Sequence, residues 1–193
     1  MAKGYVGEEL VAAQSGQYII EIIHAVDDML GSNCREFKER AFRLLCDLEL
    51  DAADGKSLYP YGRNVLALLK KKGLSVAIIT RTCADVIKKV FPDVHDYVDV
   101  IVTREDIRYV KPNPEHVRVA LELIGIEPAF ALLTGDHPTD IQAGRAAGTV
   151  TVGVLTGRTA REQFLDAGAD HVFEDIRGVT ELIDNIGNNK GKR

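Results

Sequence analysis

The fold is decided by residues 130–148, FALLTGDHPTDIQAGRAAG, where a short apolar run passes through a Gly into two carboxylates, Asp136 and Asp140, and then into an amphipathic segment. An apolar run of this length, bounded by a turn, is typical of a strand that is buried on both faces of a parallel sheet. Ligands of open α/β sheets bind beyond the carboxyl ends of the strands. The two carboxylates therefore lie where a site is expected.

Three further apolar runs have the same character, LSVAIIT at 74–80, VDVIVT at 98–103 and VTVGVL at 150–155. Segments with apolar residues at helical spacing separate these runs, and one of them has Pro60 near its start and Gly73 just past its end, as helix termini favour. Strands that alternate with helices predict an α/β fold, a three-layer Rossmann-like core around a parallel sheet.

The pattern before Lys56 is different, because apolar residues recur there only at helical spacing. Residues 19–30 and 37–48 form two such stripes, separated by GSN at 31–33, and Asn33 with Glu36 fits the start of the second helix. We therefore predict a helical cap-like module at 1–56, a Rossmann-like core at 57–187 and a basic disordered tail at 188–193.

Composition and charge exclude several classes of protein. The net charge of −5 gives no electrostatic footprint for nucleic acid. The apolar runs are far shorter than the roughly 20 residues that span a bilayer, and the N-terminus has no secretory pattern. The three cysteines lack metal-ligand spacing, and we interpret them as buried or incidental thiols. We expect a cytoplasmic protein with no nucleic-acid or membrane partner.

The polar residues at the predicted strand ends form a set with one chemistry. Thr80 closes one strand, Lys111 follows the next, and Asp136 and Asp140 follow the third. A hydroxyl can hydrogen-bond a phosphoryl oxygen, an ammonium can neutralise its charge, and carboxylates are the oxygen ligands that Mg²⁺ prefers. Each residue alone is more often a cap, a turn or a solvated side chain. Their order and spacing favour a phosphoryl-transfer site.

Residues 56–185 resemble the haloacid dehalogenase (HAD) superfamily, in its phosphoglycolate-phosphatase-like branch. SLYPYGRNVLALLKKKGLSVAIIT resembles the second motif of that family, VKPNPEHVRVALELIGI the third and LLTGDHPTDIQAGRAAG the fourth. The resemblance implies a HAD-like core and catalytic roles for Thr80 and Lys111, which contact the phosphate. It also implies that Asp136 and Asp140 coordinate or position Mg²⁺.

The resemblance implies hydrolysis of a small phosphorylated metabolite. Arg81 directly follows Thr80, so its guanidinium could bind an anionic substrate. His137, between the two acids, could touch substrate, although an exposed loop imidazole is the commoner case. The segment VLTGRTAREQF at 154–164 could shape the mouth of the site or simply connect a strand to a helix.

The first motif of the family, D-x-D-G-T, which supplies the attacking carboxylate, is not found in this sequence. Asp27 and Asp28 end an apolar run, but its spacing favours a helix over a strand. Asp51, Asp54 and Gly55 follow an amphipathic helix and resemble the end of a cap segment. Neither stretch is a convincing nucleophile.

Several functions therefore stay open. One is a Mg²⁺-dependent phosphatase whose nucleophile motif is missing from this chain, and another is a catalytically inactive HAD-like protein that binds phosphate, a metabolite or a partner. A thiol enzyme based on Cys83 has little support, because no histidine lies beside it in the sequence. Loss of a central strand would leave unpaired backbone groups, which a second copy of the chain could cover in a homo-oligomer.

Overall fold

The computed structural model describes residues 18–31 and 35–190. The helices in these ranges are α1 (Ile19–Leu30), α2 (Arg35–Ala52), α3 (Gly62–Lys71), α4 (Ala84–Val90), α5 (Glu115–Ile124), α6 (Pro138–Ala147), α7 (Arg161–Asp166) and α8 (Arg177–Lys190). The strands are β1 (Ala77–Ile79), β2 (Val100–Val102), β3 (Leu132–Gly135), β4 (Val150–Val154) and β5 (His171–Phe173). Two 3₁₀ turns lie at Val94–Asp96 and Pro128–Phe130.

The chain forms two compact units that divide between Gly55 and Lys56. In the first unit α1 packs on α2 through a small apolar cluster that includes Val26 and Phe37, as the helical spacing of the sequence predicts. Asp27 lies within α1, so the alternative in which it ends a strand is wrong. The proposed cap residue Asn33 lies outside the described residues.

The predicted disordered tail at 188–193 overlaps the end of the last helix. Helix α8 continues to Lys190, while 191–193 lie outside the described residues. Asn and Lys cost a helix only a fraction of a kcal/mol per residue relative to Ala, so nothing in this stretch forces the helix to end earlier.

Every strand pair in the second unit is parallel, and the pairs form one two-stranded and one three-stranded sheet. β1 pairs with β2, with Ile79 opposite Val102, and β4 pairs with β3 on one side and β5 on the other. The four apolar runs singled out in the sequence are all strands. β5 was not predicted, because it has three residues and begins with His171. Within the described part of the chain, β1 and β3 each pair along one edge only.

Helices cover both faces of this layer of strands, and neighbouring strand residues show it. Ile79 and Leu133 pack against the apolar cluster formed by α5 and α6. The residues next to them, Ile78 and Leu132, pack instead with clusters to which α3 and α8 contribute. Because successive side chains of a strand point to opposite faces, the core has three layers. The predicted fold class is confirmed.

In the ranges described, no helix combines the length and the apolar character that crossing a bilayer requires.

Candidate active site

Thr80 begins the loop that follows β1. Its N–H donates to the Val102 carbonyl at 2.9 Å, so the backbone stays paired with β2 one residue beyond the strand. Its hydroxyl accepts the Thr82 N–H at 3.1 Å and lies 2.8 Å from the Thr82 hydroxyl, where either oxygen can donate. When the Thr82 hydroxyl is the donor, the Thr80 hydroxyl proton is left for a ligand.

Lys111 joins the ends of two strands that do not pair with each other. Its ammonium Nζ donates to the carbonyl of Ile79, the last residue of β1, at 3.1 Å. The same Nζ lies 2.6 Å from a carboxylate oxygen of Asp140, which follows β3. Only 12% of the Lys111 side chain and 6% of the Asp140 side chain are exposed, so solvent screens this pair weakly.

Asp140 is held from both of its oxygens. Oδ1 faces Lys111, and Oδ2 accepts the His137 N–H at 3.0 Å, which caps the first turn of α6. The Asp140 carboxylate can lie here only because residue 135 is Gly, since a Cβ at that residue would lie 2.2 Å from the carboxylate carbon. The Gly of the opening stretch is therefore required by the packing of the second carboxylate.

Asp136 differs from Asp140 in being exposed. The loop after β4 lies directly against it: the Thr159 hydroxyl donates to the Asp136 carbonyl at 2.8 Å, and a Cβ at Gly157 would lie 2.7 Å from Asp136 Oδ2. The segment at 154–164 therefore borders the site. Its TGRT turn, directly after a buried strand, is the sequence signal that marks Thr159.

The loop that carries Arg81 is fixed from the neighbouring strand end. Arg104, which is buried, donates from Nη1 to the Arg81 carbonyl at 3.0 Å. The Glu105 carboxylate accepts the Ala84 N–H at the start of α4, also at 3.0 Å. Sequence reasoning missed Arg104 and Glu105, because nothing in the order of residues shows that the loop after β2 supports the loop after β1.

His116 is a second buried residue that the sequence did not single out. Its Nε2 lies 3.1 Å from the Val102 carbonyl, and its Nδ1 accepts the Lys111 N–H at 3.4 Å. Burial lowers the pKa of this imidazole to about 4, with Lys111 acting in the same direction, while the hydrogen bond to Val102 and the Asp106 and Asp140 carboxylates oppose the change. His116 is therefore neutral at physiological pH.

His137 caps α6 with its own side chain. Nδ1 accepts the Thr139 N–H at 3.3 Å and lies 2.9 Å from the Thr139 hydroxyl. A structural role in the turn between Asp136 and Asp140 thus accounts for this imidazole. Cys83 is fully buried, and burial in apolar surroundings disfavours a reactive thiolate.

A metal ion would meet a sparse set of ligands here. The described residues contain no group of three or more His, Cys, Asp or Glu side chains placed to hold a cation. Mg²⁺ in proteins keeps several waters and takes only one or two carboxylates, which suits a site with an exposed Asp136. The assignment of Asp136 and Asp140 to Mg²⁺ stays a prediction.

The structure brings Thr80, Lys111 and Asp140 to one point, since Lys111 contacts Asp140 and the residue before Thr80. Neither acid considered as an alternative nucleophile follows a strand. Asp27 and Asp51 both lie on helices of the first unit. The carboxylate that would attack phosphorus is not identified among the described residues.

Comparison with known proteins identifies the family to which this chain belongs. The model of the haloacid dehalogenase-like hydrolases matches residues 8–154, so the chain belongs to that family. Pyrophosphatase PpaX of Bacillus velezensis is 38% identical over 116 residues, which cover 59% of this chain and 54% of that protein. Phosphoglycolate phosphatase of Escherichia coli is 29% identical over 134 residues, which cover 68% of this chain and 53% of that enzyme.

The resemblance to the phosphoglycolate-phosphatase-like branch is thereby confirmed. The chain spans about half the length of the curated relatives it matches. Among solved structures, a hydrolase from Pseudomonas syringae matches with a TM-score of 0.72 and 24% identity, covering 94% of this chain and 84% of that one. At that identity the match shows a shared fold.

Proposed function

We propose that this protein is a Mg²⁺-dependent phosphate monoester hydrolase that acts on a small phosphorylated metabolite, and that its nucleophilic carboxylate is none of the acidic residues named above. The observation that carries the proposal is the position of Lys111, whose ammonium lies between the end of β1 and Asp140. A largely buried cation at the carboxyl ends of parallel strands is suited to bind a phosphoryl group.

The proposed phosphoryl contacts use donors that the fold has already oriented. An ammonium has three N–H groups, and the contacts with Ile79 and Asp140 use two of them, which leaves one for a phosphoryl oxygen. The Thr80 hydroxyl supplies a second donor from the adjacent loop. Arg81 supplies a guanidinium from the same loop, whose backbone Arg104 holds in place.

Asp136 is the residue that we assign to Mg²⁺, because its carboxylate is exposed beside the loop after β4. When bound, the cation supplies charge stabilisation to the phosphoryl oxygens. Asp140 serves this arrangement by positioning Lys111 rather than by facing solvent.

Hydrolysis of a phosphate monoester breaks the bond between phosphorus and the ester oxygen, forms a bond from phosphorus to an oxygen of water, and returns a proton to the leaving alcohol. A carboxylate nucleophile divides this reaction into two easier steps. Lys111 and Thr80 can stabilise the charge on the phosphoryl group. One well-placed donor of this kind raises the rate constant of the reaction by about 10²–10³-fold. They cannot replace the attacking group.

A second function, binding of phosphate or a phosphorylated metabolite without turnover, is favoured by one observation. Both carboxylate oxygens of Asp140 already have partners, one the Lys111 ammonium and the other the His137 N–H at the start of α6. No other acid in the described residues joins them to form a cluster.

One pair of measurements tests both functions. Calorimetry with inorganic phosphate in the presence of Mg²⁺, and hydrolysis of p-nitrophenyl phosphate, are run on the parent chain and on Lys111→Met, with the exposed Lys88→Met as the matched control. We expect Lys111→Met to weaken phosphate binding at least tenfold and Lys88→Met to leave it unchanged. Equal binding by all three proteins contradicts the proposed site.

The hydrolysis arm then separates the enzyme from the binding protein. Turnover at or above about 1 s⁻¹, within the ordinary range for enzymes, that is lost in Lys111→Met would establish the phosphatase and show that a nucleophile is present. Phosphate binding with no Lys111-dependent turnover would establish the binding function.

A further inference from the structure

The His116 side chain connects the end of β2 with Lys111 in the proposed site. It lies in the first turn of α5 and is fully buried. Nε2 faces the Val102 carbonyl at the end of β2, and Nδ1 faces the backbone N–H of Lys111. Both ring nitrogens are therefore used, one on each side.

These two contacts permit a single protonation state. The Lys111 N–H is a donor, so Nδ1 must be free of a proton to accept it. The Val102 carbonyl is an acceptor, so Nε2 must carry the proton. Neither the other neutral tautomer nor the imidazolium satisfies both partners, since each places a proton on Nδ1, facing another N–H.

The contacts of His116 extend to Thr80 through a shared acceptor. The Val102 carbonyl also receives the Thr80 N–H at 2.9 Å. The Lys111 ammonium in turn donates a hydrogen bond to the carbonyl of Ile79, the residue before Thr80. Hydrogen bonds therefore link the Thr80 backbone to the end of β2, the end of β2 to His116, His116 to Lys111, and Lys111 back to the residue before Thr80.

We propose that His116 is a positioning residue for phosphate recognition: as the neutral Nε2–H tautomer it fixes the backbone of Lys111 against the end of β2, and so sets where the Lys111 ammonium lies relative to Thr80. This inference rests on the proposed function of the site. The residue does not touch substrate, and it acts only through Lys111 and Val102.

The charges around the imidazole are consistent with this state. Three charged residues act on the ring: Lys111 and Asp106 from the connection between β2 and α5, and Asp140 from α6. Burial lowers the pKa of the imidazole more than the two carboxylates raise it, so the ring stays neutral. A buried histidine that only filled space would not need a defined tautomer. The tautomer therefore tests whether both contacts are made, and an effect of His116 on phosphate binding through Lys111 tests the positioning role.

The first test reads the tautomer in the parent chain. ¹⁵N NMR of the His116 ring, in uniformly labelled protein, should show a proton on Nε2 and none on Nδ1 from pH 8 to pH 5. A proton on Nδ1 in that range overturns the proposal. This measurement does not depend on phosphate, so it stands even if the proposed function of the site fails.

The second test uses phosphate binding by calorimetry in His116→Asn and His116→Leu. An Asn side-chain oxygen can occupy the position of Nδ1 and accept the Lys111 N–H, whereas Leu keeps volume but offers no acceptor. We expect about tenfold weaker binding of inorganic phosphate in the Leu variant, and binding closer to that of the parent in the Asn variant. Equal binding by the Leu variant and the parent overturns the proposal.

A double variant separates action through Lys111 from a general loss of structure. If His116 works by placing the ammonium, then His116→Leu should weaken phosphate binding in the parent but not further in Lys111→Met. Independent, multiplying losses would show that His116 does not act through Lys111. If the parent itself binds no phosphate, the proposed function fails, while the NMR result still decides the protonation state of His116.

Discussion

The pair of Lys111 with Asp140 predicts a large coupling between two substitutions. Asp140→Asn keeps the shape of the side chain and one oxygen but removes its charge, and Lys111→Met removes the ammonium but keeps most of the stem. With 12% and 6% of the side chains exposed, either change leaves a buried, uncompensated charge. Breaking such a pair from one side costs about 3–5 kcal/mol, whereas removing both charges costs much less than two single changes.

We therefore expect each single variant to lose about 3 kcal/mol of unfolding free energy, and the double variant to lose at least about 2 kcal/mol less than the sum. The assay is urea unfolding followed by far-UV circular dichroism, since the chain contains no Trp. The exposed pair of Lys88 with Asp85 provides a control, because Asp85→Asn should change stability by no more than about 0.5 kcal/mol. Losses that add within about 0.5 kcal/mol would refute the argument that the Lys111 ammonium depends on Asp140.

Three other predictions follow from single contacts in the site. The pKa of His116 is about 4 in the folded chain and about 6.5 in the unfolded chain, so the unfolded chain takes up a proton first as pH falls. The contribution of His116 to the free energy of unfolding is therefore complete above pH 6.5 and about 2 kcal/mol smaller at pH 5. Urea titrations at several pH values should show this decrease in the parent chain and not in His116→Asn. Gly135→Ala places a Cβ 2.2 Å from the Asp140 carboxylate carbon and should cost about 1–3 kcal/mol and weaken phosphate binding in calorimetry; unchanged stability would contradict the close packing. Gly157→Ala places a Cβ 2.7 Å from Asp136 Oδ2 and 3.1 Å from the Asp136 carbonyl oxygen, so the exposed carboxylate must move while the backbone shifts by only a few tenths of an ångström. Thermal unfolding should therefore change little, whereas the heat of Mg²⁺ binding should decrease, as we also expect for Asp136→Asn.

The fold could be predicted to a large extent because its signals are local. Each of the four predicted strands is a continuous apolar run followed by a turn, and the helices between them have apolar residues at helical spacing. The strand that escaped prediction, His171–Phe173, is too short for either pattern. Its place in the sheet comes from pairing with β4, which is a tertiary property.

The site could be predicted only where its residues follow strands in a recognisable order. Thr80, Lys111 and Asp140 were proposed in this way, and their catalytic roles stay predictions; the contacts of Lys111 do bring the ends of β1 and β3 together. His116 and Arg104 were not found, because their importance lies in burial and in bonds to backbone carbonyls of other segments. Side chains that serve a site through the backbone of another loop leave no periodic or motif signal in a single sequence.

Lys111 also explains how one edge of β1 is stabilised where none of the described strands pairs with it. In a parallel ladder successive residues direct their backbone groups to opposite sides, and Thr80 directs its N–H to β2, so the carbonyl of Ile79 faces the other edge of β1. A buried carbonyl without a donor is costly. The Lys111 ammonium satisfies it and at the same time reaches Asp140 beyond β3. Any strand that paired with β1 along this edge, from this protein or from a second copy, would place its own N–H groups beside the same carbonyl. The position of the ammonium, and with it the proposed affinity for phosphate, must therefore depend on what occupies that edge.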